Sequence, residues 1–204
     1  MVNIYELTTI ELAPGAVHRV TELLQAQLGG RSNHLLGVWT TEIGQVNNVV
    51  VLHRYESDDL TAATSNAFKR ASWLHPLSEV IVDIQTDQFR LFPYVTDPAP
   101  GTYGPLYEMR SYLFRPGRLD ELIESWREPL KQRVELSLAP LVMYAITGPL
   151  LKFVHIWPYA DFAERARVRQ RSVSDGIWPP KNGPSRLLKQ ESSLLTPTAF
   201  SPMK

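Results

Sequence analysis

The chain has 204 residues, of which 44% are hydrophobic and 21% charged, so it is long enough to bury a core as one domain or two small ones. Its 21 basic and 21 acidic side chains give a formal net charge of zero, which argues against nucleic acid as the main partner. It has no cysteine, which excludes disulfides, thiolate metal sites and cysteine nucleophiles.

The first half of the chain predicts the order strand, helix, strand, strand, helix, strand. Pro14-Gly15 indicates the start of the first helix, whose apolar residues recur at spacings of three and four, and Gly29-Gly30 indicates its end. In chain order the predicted elements are a strand at 3–11, a helix at 17–28, strands at 35–43 and 48–55, a helix at 58–73 and a strand at 80–92 ended by Pro93.

The second half repeats the first. Ile4-Tyr5-Glu6-Leu7 returns as Leu106-Tyr107-Glu108-Met109, and Pro14-Gly15 returns as Pro116-Gly117. Later matches are displaced by two further positions, and they pair Gly44 with Gly148, Tyr55 with Tyr159 and Pro93 with Pro197. Agreement in order along nearly the whole chain indicates a tandem duplication.

The second copy departs from the first in its helices. Trp126 stands where the first copy has Leu24, and Pro129 is expected to kink or end the helix because it lacks an amide donor. Residues 175–184, with Trp178 near their centre, replace part of the second helix by a turn-rich loop. The predicted boundaries are a first module at 1–95, a stiff linker at 96–104 and a second module at 105–204.

This element order predicts an α+β fold in which each half is a ferredoxin-like unit with both helices on one face of an antiparallel sheet. The third strand is apolar at consecutive positions, Val49-Val50-Val51-Leu52, so both of its faces should be buried. Helices cover only one face. The sheets of the two halves are therefore expected to pack face to face as a pseudo-dimeric α+β barrel.

The N-terminal residues show no signal-peptide pattern, and no segment approaches the roughly 18 apolar residues of a membrane span. The expectation is a soluble cytoplasmic protein without a membrane span, whose two halves associate within the chain and which could form a homodimer.

These motifs resemble the NIPSNAP family of the dimeric α+β-barrel superfamily. The resemblance rests on Tyr107-Glu108-Met109-Arg110-Ser111-Tyr112 followed by Arg115-Pro116-Gly117, and on Tyr5-Glu6-Leu7, Thr41-Glu42-Ile43-Gly44 and Leu52-His53-Arg54-Tyr55. It implies the barrel fold but no established catalytic residues. Superfamily relatives include haem-degrading and antibiotic-biosynthesis monooxygenases and isomerases, so any such activity here is an analogy from fold.

The third strands hold the main candidate site. Alternation places His53 and Tyr55 on one face, and His155, Trp157 and Tyr159 on the matching face of the second copy. These histidines are the candidate catalytic residues, as a base or, alternatively, as a haem ligand. The alternative, which we favour from the sequence, is that this face builds the core between the two sheets or its rim, with the ring nitrogens bonded to neighbours. The histidines are scattered, so no metal site and no other cofactor is predicted.

The remaining candidates are pocket residues for a small apolar ligand. Arg54 could bind a carboxylate, although an ion pair with Glu42 across the hairpin is favoured. Glu108 and Arg110 are interpreted as a lateral ion pair. Loops with tryptophan could cap a cavity between helices and sheet, or equally the tryptophan could fill the core from the loop. The full set of candidate pocket residues is Trp39, Arg54, Tyr55, Trp73, His75, Tyr144, Trp157, Tyr159 and Trp178.

Two functions follow from these observations. The first is a non-catalytic protein that binds a small molecule or another protein. The second is an enzyme on a small apolar substrate, such as a cofactor-free or haem-dependent monooxygenase or an isomerase, with His53 or His155 as its base. The first is favoured because no recognisable catalytic set is present.

Overall fold

Eight strands and four helices make up the computed structural model, which describes residues 3–30, 34–56, 74–138, 141–181 and 183–204. The strands are β1 (Ile4–Leu12), β2 (Leu35–Ile43), β3 (Asn48–Tyr55), β4 (Ile81–Leu91), β5 (Leu106–Phe114), β6 (Leu141–Ala145), β7 (Lys152–Tyr159) and β8 (Leu187–Pro197). The helices are α1 (Val17–Leu28), α2 (Leu119–Val134), α3 (Phe162–Ser174) and α4 (Gly183–Arg186), with a short 3-10 helix at His75–Val80.

The predicted strand order is confirmed in both halves. The helix predicted at 58–73 lies outside the described residues. Pro129 does not end its helix, because α2 continues to Val134. The pairing of Pro93 with Pro197 was wrong: β8 ends at Pro197, whereas β4 ends at Leu91, so the second copy contains two further inserted residues before its last strand.

The two halves close into one antiparallel barrel, with the strand order β1-β3-β2-β8-β5-β7-β6-β4. Two pairings join the halves. At one, Trp39 and Thr40 of β2 lie opposite Pro197 and Thr196 of β8. At the other, β4 residues 89–91 pair with β6 residues 143–145. The faces free of helices therefore meet across a shared interior, as the sequence predicted.

The central strand of each half is buried on both faces. Val49, Val50, Val51 and Leu52 are all no more than 1% exposed. Val50 and Leu52 point into the barrel, where they join an apolar cluster drawn from both halves. Val49 and Val51 pack under α1 in a second cluster, and a third cluster fills the equivalent layer under α2. The barrel interior is thus one core that neither half completes alone.

The predicted linker packs on the barrel and is hydrogen-bonded to it. Gly101 forms a parallel bridge with Met203, and its N–H donates to the carbonyl of Pro202 at 2.9 Å. Upstream, Asp97 accepts hydrogen bonds from the Tyr5 hydroxyl and from the amide of Asn3. The chain between the two halves is therefore fixed to the first strand and to the C-terminal residues.

Candidate functional site

The candidate residues of β7 face the helices and not the barrel interior. His155, Trp157 and Tyr159 alternate with Val154 and Ile156, and only the latter two belong to the barrel core. The interpretation that placed the histidine face in the core between the sheets was therefore wrong. Side chains alternate along a strand, so the side that carries Val154 and Ile156 meets the opposite sheet, and the side that carries the histidine lies under the helices.

A buried carboxylate on β5 is in contact with three arginines. Glu108 is 1% exposed, and its Oε1 accepts hydrogen bonds from Arg165 at 2.8 Å and from the hydroxyl of Ser192 at 3.1 Å. Arg110 and Arg169 approach the same oxygen at 3.5 and 3.6 Å. Burial by itself raises the pKa of Glu108, but the hydrogen bond from Arg165 and the three positive charges outweigh burial and lower that pKa. The carboxylate is therefore ionised at neutral pH.

A fourth arginine enters this layer from α2. Arg133 is only 4% exposed, and its Nη2 donates to the Tyr159 hydroxyl at 3.0 Å. Its guanidinium lies 4.4 Å from the centre of the Trp157 ring and also donates to Ser137. The aromatic face stabilises a cation that is removed from water. Arg133 therefore fixes the tyrosine and the tryptophan of β7 in place.

His155 lies between this charged cluster and a set of aromatic rings. It is 1% exposed, and the rings of Tyr112 and Trp126 lie 5.0 and 4.9 Å away, both edge-to-face. Burial, followed by the charges of Arg110, Arg169 and Arg133, lowers the pKa of His155 well below its ordinary value. The imidazole is therefore neutral at neutral pH.

The tautomer of His155 follows from its neighbour. The indole N–H of Trp157 donates to Nδ1 of His155, so the single proton of the neutral ring is on Nε2. Among the described residues, Nε2 has no hydrogen-bond partner. A buried N–H donor without an acceptor is costly, and in a native protein it usually marks a site that something else completes.

Two adjoining cavities open from this point. The inner one has a volume of about 30 Å³ and is lined by Glu108, Arg110, Arg133, His155, Trp157, Tyr159, Arg169, Ser172, Val173 and Trp178. The outer one measures about 250 Å³ and has mostly apolar walls. Arg110, Arg169, Val173 and Trp178 line both. A polar inner end thus continues into an apolar cleft, and together we call them the α2–α3 cleft.

The loop after α3 forms the rim of this cleft. Trp178 packs edge-to-face on Trp126 at 4.7 Å and on Trp157 at 6.0 Å. Pro179, Pro180 and Pro184 continue the same wall. Sequence analysis predicted that a tryptophan loop at this place could cap a cavity between helices and sheet, and the geometry is that of such a cap.

The first half lacks this arrangement at its described positions. In the matching strand pairs, Thr8 lies opposite Val51, whereas Arg110 lies opposite His155. His53 is the counterpart of Trp157, and it is buried opposite Glu6. Tyr55 stacks on His34 at 5.0 Å. The two halves therefore share a backbone plan but not a site.

The other candidate pocket residues are scattered. Trp39 is buried in the barrel, 5.4 Å from the ring of Tyr107, and His75 is exposed in the 3-10 helix. Tyr144 lines a separate cavity of about 440 Å³ beside Tyr5, Arg90 and Asp97. Trp73 lies outside the described residues. Of the nine candidates, the structure brings together Trp157, Tyr159 and Trp178, and with them His155.

Arg54 does not pair with Glu42, as the sequence analysis favoured. In the β2–β3 hairpin, His53 lies opposite Leu35 and Val49 opposite Thr40, so Arg54 and Glu42 are at opposite ends. Arg54 instead donates to the carbonyl of Pro98 at 3.2 Å and so holds the predicted linker.

Sequence analysis missed the arginines that complete the cluster. Arg165 and Arg169 are four residues apart and therefore lie on one face of α3, which was a usable signal for a charged helix face. Nothing local to them indicated Glu108, which lies more than 50 residues earlier on β5. Arg133 was also missed, because a basic residue in the last turn of a helix ordinarily stays in solvent.

The described ranges, 3–30, 34–56, 74–138, 141–181 and 183–204, hold neither a candidate metal cluster nor a candidate membrane helix. In those ranges, no group of three or more histidine and carboxylate side chains could hold a metal ion. No helix in the described part of the chain has the length and apolar character needed to cross a bilayer.

The sequence of this chain is similar to those of known proteins. The sequence model of the NIPSNAP family matches residues 5–95 and 107–202. Protein NipSnap homolog of Dictyostelium discoideum is 28% identical over 177 residues, covering 86% of this chain and 78% of that protein. Protein NipSnap homolog 2 of Homo sapiens is 24% identical over 221 residues, covering 99% and 75%.

A solved structure shares the fold over nearly the whole chain. A protein of Fusobacterium nucleatum, named as a candidate monooxygenase, superposes with a TM-score of 0.71 over 96% of this chain and 92% of its own, at 12% identity. At that identity the likeness concerns the barrel fold alone.

Proposed function

The chain belongs to the NIPSNAP family, and from the geometry of its second half we propose that it is a small-molecule-binding protein whose ligand occupies the α2–α3 cleft. One observation carries the proposal. The Nε2–H of His155, buried and without a partner among the described residues, lines an inner cavity that adjoins a mostly apolar cleft. A few placed polar groups at the end of an apolar cavity are the usual composition of a ligand site.

The dimensions of the cleft favour a compact ligand. An inner volume of about 30 Å³ has room for only a small polar head group. The outer volume of about 250 Å³ is below the roughly 300–1,000 Å³ of sites for drug-sized molecules. A single ring or a short branched chain fits these limits, and a haem does not. A recessed cleft of this kind also favours a small molecule over a protein partner.

The geometry supports binding more than proton abstraction. A general base needs a free lone pair directed at its substrate. In His155 the lone pair of Nδ1 accepts the Trp157 N–H, and the other nitrogen carries a proton. Its lowered pKa further disfavours uptake of a second proton. His155 is therefore better suited to hold an acceptor oxygen of a ligand than to act as the base of a monooxygenase or isomerase.

The proposal is tested by blocking the cleft without disturbing the core. Val173 lines both cavities and is 60% exposed, so Val173→Phe adds bulk at the cleft and little strain elsewhere. Val82→Phe on β4 is the matched control, since Val82 is 62% exposed and lies in the first half. Single-ring compounds with acidic, neutral and basic groups would be screened by ligand-observed NMR. We expect a compound that binds wild type and Val82→Phe but not Val173→Phe. The proposal is refuted if no compound in the screen loses its binding in Val173→Phe.

A further inference from the structure

The charges in the α2–α3 cleft do not balance. Its inner lining contains one carboxylate, Glu108, against the guanidinium groups of Arg110, Arg133 and Arg169. Arg165 adds a further positive charge by donating to Glu108. Cations removed from water are destabilising unless they are paired. One carboxylate among four arginines leaves a positive excess at the polar inner end of the cleft.

Arg110 and Arg169 are the arginines placed to meet a ligand. Both line the inner cavity and the outer cleft, whereas Arg133 lines only the inner one and is already bonded to Tyr159. Their distances to Glu108, 3.5 and 3.6 Å, are longer than the 2.8 Å contact of Arg165, so Glu108 holds them less tightly than it holds Arg165; Arg110 also forms a hydrogen bond with Tyr112. The Nε of Arg110 is buried and, within the described residues, has no acceptor.

We propose that the ligand of this cleft is a small organic carboxylate with an apolar or aromatic body, its carboxylate between Arg110 and Arg169 and one oxygen accepting from Nε2–H of His155. This inference rests on the proposed function and specifies its ligand class. A planar carboxylate can take two parallel guanidinium hydrogen bonds, and it suits the small inner volume better than a phosphate with more oxygens. Glu108, whose Oε2 has no hydrogen-bond partner among the described residues, repels an anion, but the four surrounding arginines outweigh its single charge.

Matched ligands separate the charge from the shape. Phenylacetate, phenylacetamide and 2-phenylethylamine present the same ring with an anionic, a neutral and a cationic head group. Their dissociation constants would be measured by isothermal titration calorimetry on the full chain. Phenylacetate is expected to bind about tenfold or more tighter than phenylacetamide, the usual effect of charge-assisted hydrogen bonds, and the amine more weakly than either.

Variants of the arginines test the contact itself. Arg169 is 40% exposed, so Arg169→Gln should fold normally, and it is expected to bring phenylacetate close to the affinity of phenylacetamide while leaving the amide unchanged. Arg110→Gln should do the same. Arg127→Gln is the control, because Arg127 pairs with Glu124 at the surface outside the cleft, and it should leave all three ligands unaffected.

The outcomes distinguish this inference from the proposed function. If the amide or the amine binds as tightly as phenylacetate, and Val173→Phe abolishes that binding, the cleft binds ligands but the carboxylate inference is overturned. If no compound of the screen binds at a site sensitive to Val173→Phe, the proposed function fails and the inference fails with it. If the preference for phenylacetate persists in both arginine variants, its carboxylate is bound elsewhere and the inference is wrong.

Discussion

The indole of Trp157 donates its N–H to Nδ1 of His155, two residues earlier on the same face of β7. Alternation along the strand brings these two side chains to one side, and burial under α2 and α3 keeps water from competing for the bond. The pair fixes the orientation and the tautomer of the imidazole. Burial and the charges of Arg110, Arg169 and Arg133 lower the pKa of His155 and keep the ring neutral.

The protonation of His155 is testable by NMR. With its pKa lowered by burial and by nearby arginines, the imidazole should show no titration from pH 8 down to 5.5, and its nitrogen shifts should report the tautomer protonated at Nε2. Measurement requires ¹⁵N-labelled histidine and assignment through His155→Asn. A resonance from His155 that titrates near pH 6.5 would contradict the buried, neutral state.

The same shift makes folding stability depend on pH. Below about pH 6.5 this histidine binds a proton in the unfolded chain but stays neutral in the folded chain. The free energy of unfolding should therefore fall with decreasing pH, by at most about 1.4 kcal/mol per pH unit. In urea unfolding from pH 7 to 5, His155→Asn should lessen this slope relative to wild type. His75→Asn, at an exposed position, should change the free energy of unfolding by no more than about 0.5 kcal/mol.

Glu108→Gln should destabilise the protein severely. The substitution removes the carboxylate that Arg110, Arg165 and Arg169 share, and loss of one partner from a buried ionic cluster costs about 3–5 kcal/mol. The surface substitution Glu124→Gln, which breaks one exposed pair with Arg127, should cost no more than about 1 kcal/mol. Urea unfolding at pH 7 measures both. Equal costs would show that the cluster contributes little to stability.

Acid should remove the contribution of Glu108. The pKa of this carboxyl is lower in the folded protein than in the unfolded chain, so its stabilisation is complete above the unfolded value of about 4.3 and disappears as the pH falls through the folded value. Wild type and Glu108→Gln should therefore approach each other in stability below about pH 4. A difference that stays constant from pH 7 to 3 would exclude this linkage.

Gly37→Ala should disrupt the barrel core. A Cβ at this position would overlap the indole of Trp39, which is fully buried, so the ring would have to leave its place. Overpacking of this kind typically costs about 1–3 kcal/mol. In a double-mutant cycle, the cost of Gly37→Ala should shrink sharply in a Trp39→Leu background. An equal cost in both backgrounds would show that the ring is not the obstacle.

The two halves are expected to unfold together. Leu195 is fully buried in the interior cluster, next to the β2–β8 joint, so Leu195→Ala should cost about 2–5 kcal/mol. Because that cluster draws on both halves, hydrogen exchange should show equal loss of protection in β3 and β7. Loss confined to the second half would mean that the halves are separate cooperative units.

The fold was predictable from two local signals. The repeat gave the order of elements twice, and the unbroken apolar run at Val49–Leu52 required a cover on the face without helices. Together these required that the halves meet. The prediction was wrong about which side of each strand faces the barrel interior. Alternation separates the two sides of a strand but does not say which one the helices cover, and the histidines suit either layer.

Less of the site was predictable. Glu108 and Arg110 could be read as neighbours on one face, and they are 3.5 Å apart. The contact of Arg165 and Arg169 with Glu108 depends on the angle and register at which α3 crosses the sheet. No local sequence pattern encodes these two quantities. The further two-residue insertion before β8 was missed, since a matching proline at 197 hid the shift.

Joining both sheets in one polypeptide has a consequence for how such a protein can change. In a barrel made from two identical subunits, the symmetry axis imposes every substitution twice, and a residue useful on one side must be tolerated on the other. Here Thr8 and Arg110 occupy matching places and have become different. Fusion permits one copy to keep Thr8 opposite Val51 while the other places Arg110 opposite His155.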